Sequence, residues 1–221
     1  MTWIKICGIT NLEDALVAVE AGADALGFVF YEKSPRNIDP ETARKIVDKL
    51  PPNIEKVGLF VNEKEQFICK IADEIHLSAV QMHGNDEDPH VADLVVAQRP
   101  LKILAAISMK DPEPEGRAMM WEQENVYAFL VDSGRPTQLG GTGNAFDWKA
   151  SARSLNTIRG LGRLVLAGGL TSLNVANAQA ITKAWGVDVS SGVESRPGKK
   201  DHDKVRAFIK AVREAEKASS N

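Results

Sequence analysis

The sequence predicts a (β/α)8 barrel, on three observations: apolar strand-type segments alternate strictly with helical ones, the alternation runs to eight, and glycine-bearing turns close the last strands. Strict alternation implies a parallel sheet, because parallel neighbours need a crossover and a helix is the usual one. Eight such units can close on themselves and leave no strand edge exposed. A doubly wound open sheet is the alternative. It carries its phosphate-binding glycines after the first strand, whereas here the glycine-rich turns come at strands six to eight.

The first strand covers residues 3–10, apolar but for Lys5, and carries Cys7 at its carboxyl end. Asn11 caps a helix with apolar positions Leu12, Leu16, Val19 and Ala23, and Gly22 ends it. Strand two covers 23–30, and a polar turn, 31–37, leads to a helix opened by Asp39-Pro40 and running to Leu50. Strand three is 56–61 and its helix 63–74. Strand four is 79–84, followed by a polar helix start at Asp86-Glu87-Asp88. Strand five is 101–107, and the helix over 111–124 starts poorly because Pro112 and Pro114 intervene. Strand six, 126–133, ends in Asp132. A glycine-rich loop, 134–144, separates it from a helix beginning near Phe146-Asp147-Trp148. Strands seven and eight are 163–169 and 186–191, with helices over 172–184 and 201–217.

The composition, 43% hydrophobic and 26% charged, is that of an ordinary globular chain. A net charge of −3 with no block of like charge leaves no electrostatic footprint for nucleic acid. No segment reaches the ~20 apolar residues of a membrane span and no leader pattern is present, so the cytoplasm is the expected location, with no membrane partner. Cys7 and Cys69 are too few for a disulfide framework and too far apart for a CxxC motif, so both read as reduced thiols. No metal set appears: His76, His83, His90 and His202 lie on different elements, without HExxH spacing. There is no Walker sequence, and no nucleophile elbow surrounds the cysteine. With both ends close to the barrel's own boundaries, one domain over residues 1–221 is expected, as a monomer or homodimer.

In a barrel the carboxyl ends of all the strands face one mouth. Strand one brings Cys7 there, strand two leads to Arg36, strand four to His83, and strand six to Asp132. Strand eight brings Asp188, Ser190, Ser191 and Gly192. A lone strand cysteine is most often a small buried hydrophobe, so the case for chemistry at Cys7 rests on what converges beside it. A glycine turn alone often just ends a strand. Gly168-Gly169 after strand seven together with Ser190-Ser191-Gly192 after strand eight instead point to phosphate, which backbone N–H groups there can approach closely. That site has no cationic side chain of its own, so Arg36 beside it suggests a second anionic group, because guanidinium pairs bidentately with carboxylate. Asp132 leaves a buried strand at the mouth, where a carboxylate has a task beyond capping a turn. His83 reads equally as a ligand contact or as a partner for a loop carbonyl. Cys69 falls on the apolar side of helix three, and Phe146 and Trp148 read as packing.

A set of motifs in order along nearly the whole chain resembles one family. They are Lys5-Ile6-Cys7-Gly8-Ile9-Thr10, the stretch from Gly22 to Phe30 with Ser34-Pro35-Arg36, and Val80-Gln81-Met82-His83-Gly84. Asp132 with Gly140-Gly141-Thr142-Gly143 and Phe146-Asp147-Trp148 follows. Leu166 to Leu170, Asp188 to Glu194 and Pro197 to Asp201 complete it. The chain is similar in these to the phosphoribosylanthranilate isomerases of tryptophan biosynthesis. The resemblance implies a (β/α)8 (TIM) barrel that catalyses an Amadori rearrangement without a cofactor. The substrate would be N-(5-phosphoribosyl)anthranilate and the product 1-(2-carboxyphenylamino)-1-deoxyribulose 5-phosphate. It further implies Cys7 as general base and Asp132 as general acid, Arg36 on the anthranilate carboxylate, and the last two loops on the phosphate. Three positions depart from the family's habit: Glu32 where proline is common, Met82 where leucine is, and Arg196 where a small residue is usual.

The chemistry accounts for these residue types. Ring opening needs a proton on the ribose oxygen, which a protonated Asp132 supplies; removal of the C2′ proton then needs a base, the Cys7 thiolate. A free thiol near pKa ~8.5 is mostly protonated at neutral pH, so the site is expected to favour the thiolate. Asp132 is expected to be kept protonated by desolvation or a nearby negative charge. The histidine-pathway sugar isomerase, also a barrel with an Amadori reaction, has an aspartate at the first strand and two phosphate sites; Cys7 and one clear phosphate site argue against it. A non-catalytic phosphate-sugar binder has no use for an acid–base pair.

Overall fold

Strands β1 (Trp3–Cys7), β2 (Ala25–Phe30), β3 (Glu55–Phe60), β4 (Ala79–Met82), β5 (Lys102–Ser108), β6 (Ala128–Asp132), β7 (Leu164–Leu166) and β8 (Gly186–Val189) pair in chain order, all parallel, and close as β8 on β1. The computed structural model describes residues 1–84, 88–121, 126–134 and 145–219. Helices α1 (Leu12–Ala21), α2 (Pro40–Val47), α3 (Glu65–Ile75), α4 (Asp88–Gln98), α5 (Pro114–Met119), α6 (Ala152–Leu161), α7 (Val175–Thr182) and α8 (His202–Ser219) follow the strands one by one. The expected eight-fold alternation and closed barrel are therefore present, and the open doubly wound sheet is excluded. The Gly140–Gly143 motif and the Asp86-Glu87 helix start lie outside the described residues.

Two hydrophobic layers result from the period-two alternation of strand side chains. On β1, Ile4 and Ile6 join the main core between barrel and helices, while Trp3 belongs to a separate inner cluster with Ala25, Val57, Ala79, Leu104, Ala128, Leu130, Val165 and Ala167. Lys5 and Cys7 share the face of Trp3. The strand's pleat alone thus aims both into the barrel.

Local signals explain the helix ends. Asn11 accepts from the Asp14 N–H at 2.9 Å to cap α1, and left-handed Gly22 closes it. Asp39 accepts from the Thr42 N–H ahead of Pro40. The expected apolar stripe of α1 is corrected: Leu12 and Leu16 are more than a third exposed, whereas Asp14, Ala15 and Ala18 are fully buried. The Asp14 carboxylate sets this rotation. It accepts from the backbone N–H of Lys200 at 2.8 Å and from Lys199 Nζ at 2.9 Å, and pairs with His202 Nε2 at 3.0 Å. Helix α6 begins at Ala152 rather than near Phe146, because the Asp147 carboxylate takes the N–H groups of Lys149 and Ala150 in a turn that precedes it. Phe146 and Trp148 do pack on the core. Helix α5 starts at Pro114, past Pro112, as proline allows in a first turn. A short 3-10 turn, Ser191–Val193, leads into an antiparallel hairpin not expected from the sequence, β9 (Glu194–Arg196) with β10 (Lys199–Lys200).

Asp14 fastens this hairpin to α1. Burial alone would push its carboxyl up, but hydrogen bonds from Lys200, Lys199, Asn11 and His202 hold it below the ordinary 3.8. A depressed carboxyl stabilises above its unfolded value and loses that contribution as pH falls through the folded one. Asp14→Ala is expected to cost about 3 kcal/mol, since it leaves buried donors unpaired. Urea unfolding at neutral pH reads this cost, and the gap from the parent narrows as the medium is acidified below the ordinary carboxylate range.

Candidate active site

A cavity of ≈ 730 Å³ opens at the carboxyl ends of the strands. Cys7, Arg36, His83, Asp132, Gly168, Gly169, Asp188, Ser190, Ser191 and Gly192, the ten residues singled out from the sequence, all line it. Its size suits a small organic ligand. Cys69 lies elsewhere, buried on α3.

At the cavity floor Asp188 and Gln81 meet a buried lysine from β1. Lys5, fully buried, donates from Nζ to Asp188 Oδ1 at 2.7 Å and to Gln81 Oε1 at 2.8 Å. Burial would strip the ammonium of its proton, but the charges of Asp188 and Cys7 outweigh it and hold Lys5 above its ordinary value. The same burial pushes the Asp188 carboxyl up against the pull of Lys5. These two shifts favour opposite forms of the pair. With the contact at 2.7 Å and a second acceptor at hand, we assign ammonium and carboxylate.

Burial also dominates at Cys7 and pushes its thiol up, with Lys5 and Lys200 pulling down and Asp188 adding to the rise. The expectation that the site favours the thiolate is therefore corrected: desolvation prevails over the pull of Lys5 and Lys200. His83 is pushed down by burial, with Asp132 opposing, so its imidazole is neutral at neutral pH. Asp132 accepts from the Gly134 N–H at 3.0 Å through Oδ1.

Arg36 crosses to the hairpin. Its Nε and Nη2 donate to Glu194 Oε1 and Oε2 at 2.9 and 2.8 Å, a bidentate pair that does not use the N–H groups of Nη1, on a residue that lines the cavity. Glu194 also accepts from Lys200 Nζ at 2.9 Å, and these partners hold its carboxyl down against burial. Lys200 reaches on to the carbonyl of Cys7 at 2.5 Å and to that of Ser190 at 3.4 Å. Thus the loop after β8, expected to have no cationic side chain of its own, does have a lysine at its base, one whose proton affinity burial lowers against the pull of Glu194. The lysine comes from β10, beyond the last predicted strand.

The two loops after β7 and β8 pack directly on each other. A Cβ on Gly192 would stand 1.9 Å from the Leu170 carbonyl oxygen, and Gly168 and Gly169 adopt φ of 82° and 65°. Ser190 Oγ is buried, 3.1 Å from where a Cβ on Gly8 would stand, and has no hydrogen-bond partner among the described residues. Among the described residues one set, Glu13, Asp14 and His202, has ligand atoms close enough for a metal ion. Lys199 already sits between its carboxylates, at 3.2 and 2.9 Å, so the set is an ion-pair cluster outside the cavity.

Of the residues missed, Lys5 carried the plainest signal, since a lysine two positions before Cys7 in an otherwise apolar strand shares its inward face. Gln81 shows the same signal on β4. Glu194 and Lys200 stood within the family motifs but gave no sign of reaching the site.

A parallel barrel with a thiol, a carboxyl and a glycine-lined anion cradle at its carboxyl mouth defines a (β/α)8 enzyme for a small phosphorylated substrate. A family model described as N-(5′-phosphoribosyl)anthranilate isomerase matches residues 4–211. The N-(5′-phosphoribosyl)anthranilate isomerase of Geobacter sp. (strain M21) is 48% identical over 209 residues, 95% of this chain and 97% of that protein. The crystal structure of phosphoribosyl anthranilate isomerase from Thermotoga maritima superposes with a TM-score of 0.86 at 42% identity, covering 97% of this chain and 100% of that one. A structure of phosphoribosyl anthranilate isomerase in complex with reduced 1-(o-carboxyphenylamino)-1-deoxyribulose 5-phosphate gives 0.83 at 41% identity, with the same coverage. The chain belongs to the N-(5′-phosphoribosyl)anthranilate isomerase family.

Proposed function

We propose that this protein isomerises N-(5′-phosphoribosyl)anthranilate to 1-(2-carboxyphenylamino)-1-deoxyribulose 5-phosphate in tryptophan biosynthesis, with Cys7 as general base and Asp132 as general acid. The observation that carries the assignment of roles is the convergence of a thiol, a carboxyl and two anion-binding features on one cavity. The phosphate sits on Gly168, Gly169, Ser190, Ser191 and Gly192, a reading supported by the buried Ser190 Oγ, which has no partner among the described residues. The anthranilate carboxylate takes the N–H groups of Arg36 Nη1. Between these anchors lies the ribose, within reach of both strands' ends. Asp132 gives its proton to the ring oxygen as the C1′–O bond breaks and the anilinic nitrogen forms a protonated Schiff base. The Cys7 thiolate then removes the C2′ proton; that electron pair becomes the C1′=C2′ bond of an enolamine, which tautomerises to the ketone. Neutral His83 and Asp188 bound the ribose side. A single barrel domain over 1–221 works in the cytoplasm as a monomer or homodimer, with a small molecule and not nucleic acid or membrane as its partner. Among the described residues no helix is long and apolar enough to cross a membrane.

Freshly generated phosphoribosylanthranilate tests the activity through its fluorescence. Decay well above the spontaneous rate with purified protein supports the reading, and decay at the spontaneous rate overturns it. The phosphate cradle has its own test. Gly192→Ala forces the Leu170 carbonyl away and is expected to raise KM by about tenfold or more, with a smaller effect on kcat, because phosphate binding is uniform along the reaction.

A further inference from the structure

We propose that the Lys5 ammonium, fixed by Asp188 and Gln81, is the counter-ion of the Cys7 thiolate and so a positioning residue for the reaction. This deepens the assignment of Cys7 as base and rests on it.

Three observations carry it. Lys5 and Cys7 lie two residues apart on the inward face of β1, with Lys5 wholly inside the barrel. Two of the three N–H directions of an ammonium are taken, by Asp188 Oδ1 at 2.7 Å and Gln81 Oε1 at 2.8 Å, which fixes the third. Gly27 on β2 supplies the space that the sulfur and the lysine share: a Cβ there would stand 2.7 Å from Cys7 Sγ and 3.2 Å from Lys5 Cε.

A purely structural role accounts for this poorly. Taking an ammonium out of water costs several kcal/mol, and a buried ion pair is seldom better for stability than apolar residues of the same volume. The inner cluster that continues below, with Val57, Leu104, Leu130 and Val165, is of that apolar kind. A reaction that makes and discharges an anion at Cys7 gives the buried cation a task. When the thiolate takes the C2′ proton, an S–H bond forms as the C–H bond breaks, and the electron pair neutralises the iminium. Lys5 keeps its own proton throughout. The sulfur is also faced by Asp188 from β8, which opposes the thiolate, and by Lys200 from β10, which supports it. Arg36, His83 and Asp132 line the same cavity.

The test reads the sulfur directly, without substrate. In a Cys69→Ala background, the rate of Cys7 alkylation by iodoacetamide is followed against pH. The protein with Lys5 and Asp188 intact is compared with Lys5→Met/Asp188→Asn, so neither carries an uncompensated buried charge at that position, and because Asp188 raises the thiol its loss cannot mimic the loss of Lys5. Loss of Lys5 is expected to move the alkylation profile to higher pH by about one unit or more, which is about a tenfold fall in rate at neutral pH. Superimposed profiles would overturn the proposal. Lys5→Gln/Asp188→Asn gives the same comparison should the methionine variant fail to fold. If the profile moves while the protein shows no isomerase activity, the counter-ion role stands and the base assignment falls.

Discussion

Cys7→Ser is expected to lower turnover by about 10²-fold or more while ligand binding stays within a few-fold of the parent. The substitution keeps the shape of a side chain that is 5% exposed at the end of β1, so the barrel loses almost no packing. What it loses is acidity. A serine hydroxyl is a far weaker acid than a thiol and supplies almost no anion, even beside Lys5 and Lys200. The parent has a matching pH signature. Because burial pushes the thiol up, the thiolate is a minor form at neutral pH. Alkylation of Cys7, which needs the thiolate alone, is therefore expected to climb about tenfold per pH unit on the acid side of the thiol's titration and to flatten above it. Steady-state turnover, with the anthranilate fluorescence as readout, checks the drop, and the alkylation rate across pH checks the slope.

Asp132→Asn is the second large effect, about 10²- to 10⁴-fold on turnover, again with binding retained. The amide oxygen can still accept the Gly134 N–H that the carboxylate now accepts at 3.0 Å, so the loop after β6 keeps its anchor. The amide cannot hand over a proton to the leaving ring oxygen.

How far the site could be read from the sequence follows from which signals are local. Cys7, Asp132, Gly168 and Ser190 were legible because each ends a strand, and in a closed parallel barrel all strand ends share a mouth whatever lies between them. The pleat made Lys5 legible too, because a polar break two residues before Cys7 in an apolar run falls on the face of Cys7. Glu194 and Lys200 were legible as members of the family motifs but not as partners of the site. They reach Arg36 and the Cys7 carbonyl through a hairpin whose two strands, three and two residues long, leave no periodic pattern. The rotation of α1 failed for a related reason. Its apolar spacing pointed to Leu12 and Leu16, but a buried carboxylate with several donors outweighed two leucines. The same distance from local pattern explains the Cys7 thiol. Sequence shows which charges can come near, whereas desolvation depends on the whole packed wall around the sulfur.

The most direct test of a division between binding loops and an acid–base pair is to titrate reduced 1-(o-carboxyphenylamino)-1-deoxyribulose 5-phosphate into the parent, Cys7→Ser, Asp132→Asn and Gly192→Ala by calorimetry, beside turnover of each. The predicted result is near-parent affinity in the first two variants with turnover lost, and weakened affinity in Gly192→Ala. Loss of affinity in step with turnover at Cys7 and Asp132, or turnover retained in either, would contradict the assignment of those two residues to the chemistry.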